Sequence, residues 1–277
     1  MADYKSIGDG SVRMKLSEAT WTEIRDAEVD AALLPVGSTE QHGPHAPLGT
    51  DALTAEAVAD AAAERWAGRE TDRGGDAATD PDGGDLLVAP PVHVGVAEEH
   101  RAFDGTLWVS PDTFRAYVRE TVESLAHHGL DRVVLVNGHG GNVEALAEVA
   151  RRVSRDGSTN AYAVSFTWFE AVGEHASRMG HGGPLETAML RHVAPELVRA
   201  DRVAEARDGG TDRWGEWVRG VNLAHDSDEF TENGVVGDPN EGTAALGAEL
   251  LERASEALCD VAGAVAERGF ERHRGGR

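Results

Sequence analysis

The stretch that decides the fold is AALLPVGSTEQHGPHAPLGTD, residues 31–51, in which an apolar segment leads directly into a polar loop. Residues 31–36 form a short apolar run that ends at Gly37, a pattern typical of a strand buried on both faces. After the loop, from Asp51 to Trp66, apolar residues recur at spacings of three and four, which predicts a helix. A strand, a loop and a helix in this order are the repeating unit of an α/β protein.

The same alternation continues along the chain. Further apolar runs predict strands at 86–89, 132–136 and 161–166, and helical periodicity predicts helices over 111–128, 143–155, 185–192 and 241–268. Parallel strands need crossover connections, which are usually helices. We therefore expect a single α/β domain over 1–277, with a mainly parallel sheet flanked by helices on both faces. Two regions are expected to be irregular: a flexible acidic insertion at about 68–85 and the stretch from 193 to about 238.

The composition excludes several classes of protein. A formal charge of −23 at pH 7 repels nucleic acid and anionic membranes, and Lys5 and Lys15 are the only lysines. This balance is typical of a halophilic protein in a salt-rich cytoplasm. Cys259 is the single cysteine, so an intrachain disulfide and a thiolate metal cluster are both excluded. No signal core or membrane-spanning apolar stretch is present, and we expect a cytoplasmic protein.

Two polar loops that follow predicted strands carry candidate metal ligands. Glu40 and His42, two residues apart, can point the same way from an extended segment, and Asp51 stands at the start of the next helix. His139 follows the strand at 132–136, and the ends of parallel strands meet at one edge of a sheet. Carboxylate and imidazole ligands suit zinc, iron or manganese. These four residues predict a site for one or two divalent ions, with Asp51 able to bridge two.

A third polar cluster lies in the glycine loop before the helix at 185–192. His181 can shuttle a proton, and Glu186 can orient it, ligate a metal or simply favour a helix N-terminus. The loop at 138–142 has a competing interpretation as a phosphate cradle, although it lacks a P-loop lysine and a dinucleotide fingerprint. The other histidines considered, each taken singly, are expected to be solvated side chains: His45, His93, His127, His128, His175, His192 and His225.

Together these motifs resemble the creatininase family. The shared pattern is Glu-x-His followed by Asp, then Asn-Gly-His-Gly-Gly-Asn, then a Gly-His loop that ends in Glu-Thr, and it extends over about 33–238. The resemblance implies a sandwich-like α/β fold, a divalent metal centre, and homo-oligomers that are often hexamers. It assigns metal ligation to Glu40, His42, Asp51 and His139 and catalysis to His181. The residues expected to bind substrate are Glu99, His100, Gly140, Gly141, Asn142 and Arg178.

Two departures from creatininases bear on the substrate. Creatininases have a Glu where this chain has Gly141, and they have tryptophans near the catalytic histidine that hold creatinine, where this chain has residues 176–179, ASRM. Family relatives of the Gly-Gly-Asn type include a deformylase of a formylamino-pyrimidine ribosyl phosphate, which serves riboflavin and deazaflavin synthesis, and a peptidase of the mycofactocin precursor. Arg101 and Arg178 are candidate cations for a substrate phosphate, so the deformylase is the expected activity.

The expected reaction is metal-assisted hydrolysis of a carbon–nitrogen bond other than a peptide bond, in a small molecule. Activated water attacks an amide or formamide carbonyl, and His181 protonates the departing nitrogen. Among metal-dependent hydrolases, creatinine amidohydrolase and mycofactocin precursor peptidase are the alternatives. From other classes, a metal-dependent small-molecule binding protein and a structural metal site in a scaffold are kept as hypotheses.

Overall fold

A five-stranded parallel sheet forms the centre of the structure, a computed structural model that describes residues 14–72, 84–156 and 158–268. Its strands are β1 (Met14–Lys15), β2 (Val29–Val36), β3 (Asp85–Val88), β4 (Arg132–Asn137) and β5 (Tyr162–Thr167). They lie in the order β1-β3-β2-β4-β5, and every neighbouring pair is parallel. This order places β2 and β4, whose following loops carry the candidate ligands, side by side at the centre.

Helices cover both faces of this sheet. They are α1 (Trp21–Asp26), α2 (Thr50–Asp72), α3 (Pro111–His127), α4 (Val143–Arg155), α5 (Pro184–Val193), α6 (Val203–Asp208) and α7 (Ala244–Ala266). On one face α2, α5 and α7 pack together, and on the other α3 packs against α4. Along β2, Leu33 belongs to the first core and Leu34 to the second, which explains why its apolar run is continuous. Among the described residues, no helix is long and apolar enough to span a membrane.

The predicted fold class is confirmed, and the differences concern short or weakly patterned elements. The elements β1 and α1 were not predicted because they are too short for a periodicity to appear. The helix α2 runs on to Asp72, into the first five residues of the predicted insertion, where the sequence shows no apolar periodicity that would reveal a helix. Residues 73–83 of that insertion lie outside the described part. The stretch predicted to be irregular contains α6 and a hairpin of β6 (Trp217–Val218) and β7 (Val221–Asn222).

The ends of β2 and β4 hold the first turn of α2 between them. Val36 pairs with Asn137 in register, so the loops after the two strands start side by side. A Cβ atom at Gly138 would lie 2.2 Å from the carbonyl oxygen of Asp51, and one at Gly37 would lie 2.3 Å from the backbone nitrogen of Ala52. Glycine at both strand ends therefore lets α2 begin directly above the sheet, with Asp51 over the gap between the strands.

This close approach predicts the effect of a methyl group at residue 138. Gly138→Ala should displace Asp51 and lower the free energy of unfolding by about 1–3 kcal/mol, measured by urea denaturation. The matched control is Gly140→Ala, because a Cβ at Gly140 meets no atom within 4 Å and should leave the free energy of unfolding nearly unchanged. Equal stability of the two variants would contradict the proposed packing.

Candidate active site

The predicted ligands and the predicted catalytic residues lie in one buried cluster at the carboxyl edge of the sheet. They come from the loop between β2 and α2, the loop after β4, the loop before α5, and the first turns of α2 and α5. All are at most 4% exposed: Glu40, His42, Asp51, His139, His181 and Glu186. Carboxylates and imidazoles at this depth need partners, because an isolated buried charge is costly.

In its neutral form, as a metal ligand, His42 directs a lone pair at two carboxylates. Its Nδ1 lies 3.1 Å from the backbone oxygen of Glu40, which can only accept a hydrogen bond, so Nδ1 carries the proton. Its Nε2 therefore presents a lone pair, 3.0 Å from Asp51 Oδ1 and 3.6 Å from Glu186 Oε1. Three electron-rich atoms converge here, which is the arrangement of a metal site whose imidazole is oriented by a backbone carbonyl.

His139 forms a second set of the same kind. Its Nε2 donates to the backbone oxygen of Val96 at 2.7 Å, which in the neutral ring leaves a lone pair on Nδ1. That nitrogen lies 3.1 Å from Glu40 Oε1 and 3.4 Å from Asp51 Oδ2. Asp51 thus gives one oxygen to the set around His42 and its other oxygen to the set around His139.

The negatively charged carboxylates of the cluster could be neutralised by two cations. Both carboxylate oxygens of Glu40 and Oδ2 of Asp51 are buried without a hydrogen-bond partner among the described residues. Glu186 is held in place, since its Oε2 accepts the backbone N–H of Gly182 at 2.6 Å. Leaving such atoms unpaired costs free energy, whereas a divalent ion in each set would satisfy them. The residues therefore fit two metal ions with Asp51 as the shared ligand.

The pKa values of the two imidazoles reflect the same excess of negative charge. Burial lowers the pKa of His139, but the carboxylates of Glu40, Asp51 and Glu99 outweigh it and raise the pKa to about 10. Burial also lowers the pKa of His42, and the carboxylates of Asp51 and Glu186 raise it well above its ordinary value. In the protein without metal, both rings therefore carry an additional proton. It lies on the nitrogen that faces the carboxylates, which is the atom that would bind a cation.

His181 differs from these two rings because it is neutral at pH 7. Burial and the neighbouring charge of His42 lower the pKa of His181 to about 4. Its Nδ1 lies 3.6 Å from Glu40 Oε1, and its ring centroid lies 4.3 Å from that of His42. A neutral imidazole beside the two candidate metal positions can accept a proton.

Glu99 occupies the space that a side chain at residue 141 would need. A Cβ at Gly141 would lie 2.3 Å from the backbone oxygen of Val96 and 2.8 Å from Glu99 Oε1. The same Glu99 oxygen lies 3.8 Å from His139 Nε2. The glycine that departs from the creatininase pattern is thus required by its surroundings here, and a carboxylate from another segment lies at that place.

Several residues predicted to bind substrate have other partners. Asn142 is buried, and its amide accepts from Val96 N at 2.9 Å and donates to Gly37 O at 3.0 Å, so it joins two loops. Arg178 pairs with Glu241 at 2.7 Å. Gly140 is exposed, whereas His100 lies inside the cluster. The role of these residues toward a substrate stays a prediction.

The expectation of a solvated side chain was wrong for His45. This residue is buried, and its Nε2 lies 2.8 Å from Thr187 Oγ1 in the first turn of α5. The available signal was its place between two prolines in the ligand loop. Sequence analysis also missed Trp214, whose ring centroid lies 6.4 Å from that of His181, because no spacing links residues so far apart.

Metal binding should release protons, because it displaces them from His42 and His139. We expect a calorimetric titration with Zn²⁺ at pH 7, in buffers of different ionisation enthalpy, to show release of about two protons per chain. The affinity should rise with pH up to about 10, where His139 loses its proton without metal. Uptake of zinc with no proton release would contradict these ligand assignments.

Comparison with known proteins places the chain in a family. The family described as creatinine amidohydrolase (creatininase) matches residues 17–262. The mycofactocin precursor peptide peptidase of Mycobacterium ulcerans is 36% identical over 233 residues, which cover 84% of this chain and 81% of that protein. Creatinine amidohydrolase of Pseudomonas putida is 29% identical over 214 residues, which cover 69% of this chain and 75% of that protein.

Solved structures share the fold of this chain. A Bacteroides fragilis protein described as a creatinine amidohydrolase superposes with a TM-score of 0.76 at 25% identity, covering 93% of this chain and 98% of its own. A manganese form and a two-zinc form of creatininase each match over 93% of this chain and 100% of their own, the first with a TM-score of 0.72 at 23% identity. The chain belongs to the creatininase family, and it is a hydrolase that acts on carbon–nitrogen bonds.

Proposed function

We propose that this protein is a two-metal hydrolase that cleaves an amide bond in a short peptide, with a mycofactocin precursor peptide as the first candidate substrate. The observation that carries the proposal is the Asp51 carboxylate, whose two oxygens face two separate ligand sets. Glu40, His139 and Asp51 would hold one ion, and His42, Asp51 and Glu186 the other. A divalent cation in these positions lowers the pKa of a water molecule and polarises a carbonyl oxygen.

In the proposed reaction, His181 is the side chain that transfers a proton. Its pKa of about 4 keeps the ring neutral, so it can take a proton from the attacking water as the carbon–oxygen bond forms. It then gives that proton to the amide nitrogen as the carbon–nitrogen bond breaks. Burial excludes bulk water from this transfer, since His181 is 4% exposed.

A peptide suits the surroundings of the site better than a phosphorylated substrate does. Arg101 and Arg178, the cations considered for a substrate phosphate, pair with Asp226 at 2.6 Å and Glu241 at 2.7 Å. Trp214 next to His181 is 47% exposed, and Trp217 and Leu223 beyond it are exposed as well. An apolar peptide residue can pack against these side chains. The mycofactocin peptidase relative is also more similar to this chain than creatinine amidohydrolase is.

The resident metal and the assembly are further parts of the proposal. The ligand set suits zinc, iron and manganese alike, and the related creatininase structures include manganese and two-zinc forms. We propose zinc or manganese as the resident metal and a cytoplasmic homo-oligomer, such as a hexamer, as the assembly. Deformylation of the pyrimidine ribosyl phosphate and hydrolysis of creatinine stay as alternative reactions for the same site.

Direct assay separates these alternatives. Protein loaded with zinc, iron or manganese in high salt is given the precursor peptide, the formylamino-pyrimidine ribosyl phosphate or creatinine, and products are identified by mass spectrometry. We expect cleavage of the peptide, lost on chelation. His181→Ala should keep its metal and lose about 10²–10⁴-fold in kcat. The matched control is His93→Ala, which changes an exposed histidine and should be fully active.

Each other outcome of this assay has a definite meaning. Formate release from the pyrimidine phosphate alone would overturn the peptide proposal in favour of the deformylase, and turnover of creatinine alone would favour a creatininase. Full metal content without turnover of any of the three would favour a binding protein.

Trp214 should affect substrate binding more than chemistry. Trp214→Ala is expected to raise KM for the peptide about three- to tenfold with little change in kcat, because it removes an aromatic contact and no reacting group. The matched control is Trp21→Ala on α1, since Trp21 is 74% exposed on another part of the molecule. A fall in kcat with unchanged KM would show that Trp214 acts on the reacting groups instead.

A further inference from the structure

His100 and His181 form a stacked pair beside the same carboxylate oxygen. Their ring centroids lie 4.2 Å apart with an interplanar angle of 17°. Nε2 of His100 lies 3.4 Å from Glu40 Oε1, and Nδ1 of His181 lies 3.6 Å from the same atom. Each ring donates a hydrogen bond there if that nitrogen carries a proton, and accepts a hydrogen bond or a proton if it carries a lone pair.

The side-chain amide of Gln41 has only one orientation that satisfies its neighbours. The backbone N–H of Gly43 can only donate, so the atom 2.9 Å from it must be the amide oxygen of Gln41. The amide nitrogen therefore points the other way, to the backbone oxygen of Gly234 at 3.1 Å and to Nδ1 of His100 at 2.9 Å. Two backbone groups thus fix the amide without reference to the histidine.

This orientation determines the tautomer of His100. An amide N–H directed at Nδ1 requires a lone pair on that nitrogen, and the hydroxyl of Ser227, 3.0 Å away, can donate to it as well. The proton of the neutral ring is then on Nε2, the atom that faces Glu40. A proton on Nδ1 would instead point at the N–H of Gln41, and two hydrogen-bond donors would face each other without an acceptor.

The backbone of Gln41 determines the tautomer of His181. Nε2 of His181 contacts the carbonyl oxygen of Gln41, which can only accept, so the proton is on Nε2. Nδ1 then presents a lone pair toward Glu40. Both rings carry the proton on Nε2, but they turn opposite ends toward the reaction site.

We propose that Gln41 is a positioning residue that makes His100 a fixed N–H donor and His181 a fixed proton acceptor at the two-metal site. The catalytic meaning rests on the proposed amide hydrolysis. His181 accepts the proton of the attacking water and returns it to the departing nitrogen. His100 keeps its proton throughout, and its N–H stabilises the negative charge that develops on the carbonyl oxygen.

The direct test is nitrogen NMR of the zinc-loaded protein with ¹⁵N-labelled histidine rings. We expect His100 and His181 both to show a protonated Nε2 and an unprotonated Nδ1. In Gln41→Glu a carboxylate oxygen replaces the amide N–H, so the proton of His100 should move to Nδ1 while His181 stays unchanged. The matched control is Asn233→Asp, another amide that accepts one backbone N–H and donates to backbone carbonyls, and it should alter neither ring.

Kinetics test the role of the donor separately. His100→Leu removes the N–H and should lower kcat about 10²–10³-fold, with metal content and KM nearly unchanged. His100→Gln keeps an N–H at a similar reach and should recover most of this loss. A wild-type His100 with its proton on Nδ1, or full activity of folded His100→Leu, would overturn the proposal. Correct tautomers in a protein that cleaves none of the three substrates would instead refute the proposed function alone.

Discussion

The buried carboxylate of Asp51 is the constraint on which the rest of the site depends. It stands in the first turn of α2, where the partial positive charge of the helix N-terminus favours an anion. Its position is set from below by Gly37 and Gly138, since neither strand end carries a side chain that would push the helix away. From there its two oxygens reach His42 on one side and His139 on the other.

The fold and the ligand cluster could be predicted because their causes are local in sequence. Each inner strand is buried on both faces and therefore shows as a continuous apolar run, and the ends of adjacent parallel strands meet at one edge. This is sufficient to bring Glu40 and Asp51 near His139. It is not sufficient to give the direction of a side chain: the polar atoms of Asn142 and Arg178, both predicted to bind substrate, contact other residues of the protein.

Contacts made by the segment between α6 and α7 could not be predicted, because they depend on tertiary packing alone. Trp214 and Ser227 reach the site from a stretch with no apolar periodicity. This stretch is joined to the catalytic loop through two backbone hydrogen bonds between His181 and Val236, of 2.8 and 3.0 Å. The candidate ligands thus come from strand ends and from the first turns of α2 and α5, whereas Trp214 and Ser227, which the proposal places near the substrate, come from a less regular segment. Differences in substrate within the family can arise in that segment without disturbing the metal site.

The central claim is that Asp51 bridges two metal ions, and anomalous X-ray scattering tests it most directly. Crystals of the zinc-loaded protein would be measured on both sides of the zinc absorption edge. The account predicts two peaks about 3.5–4 Å apart, one beside each oxygen of Asp51, with His139 and Glu40 at one peak and His42 and Glu186 at the other. A single peak, or two peaks that Asp51 does not join, would contradict it.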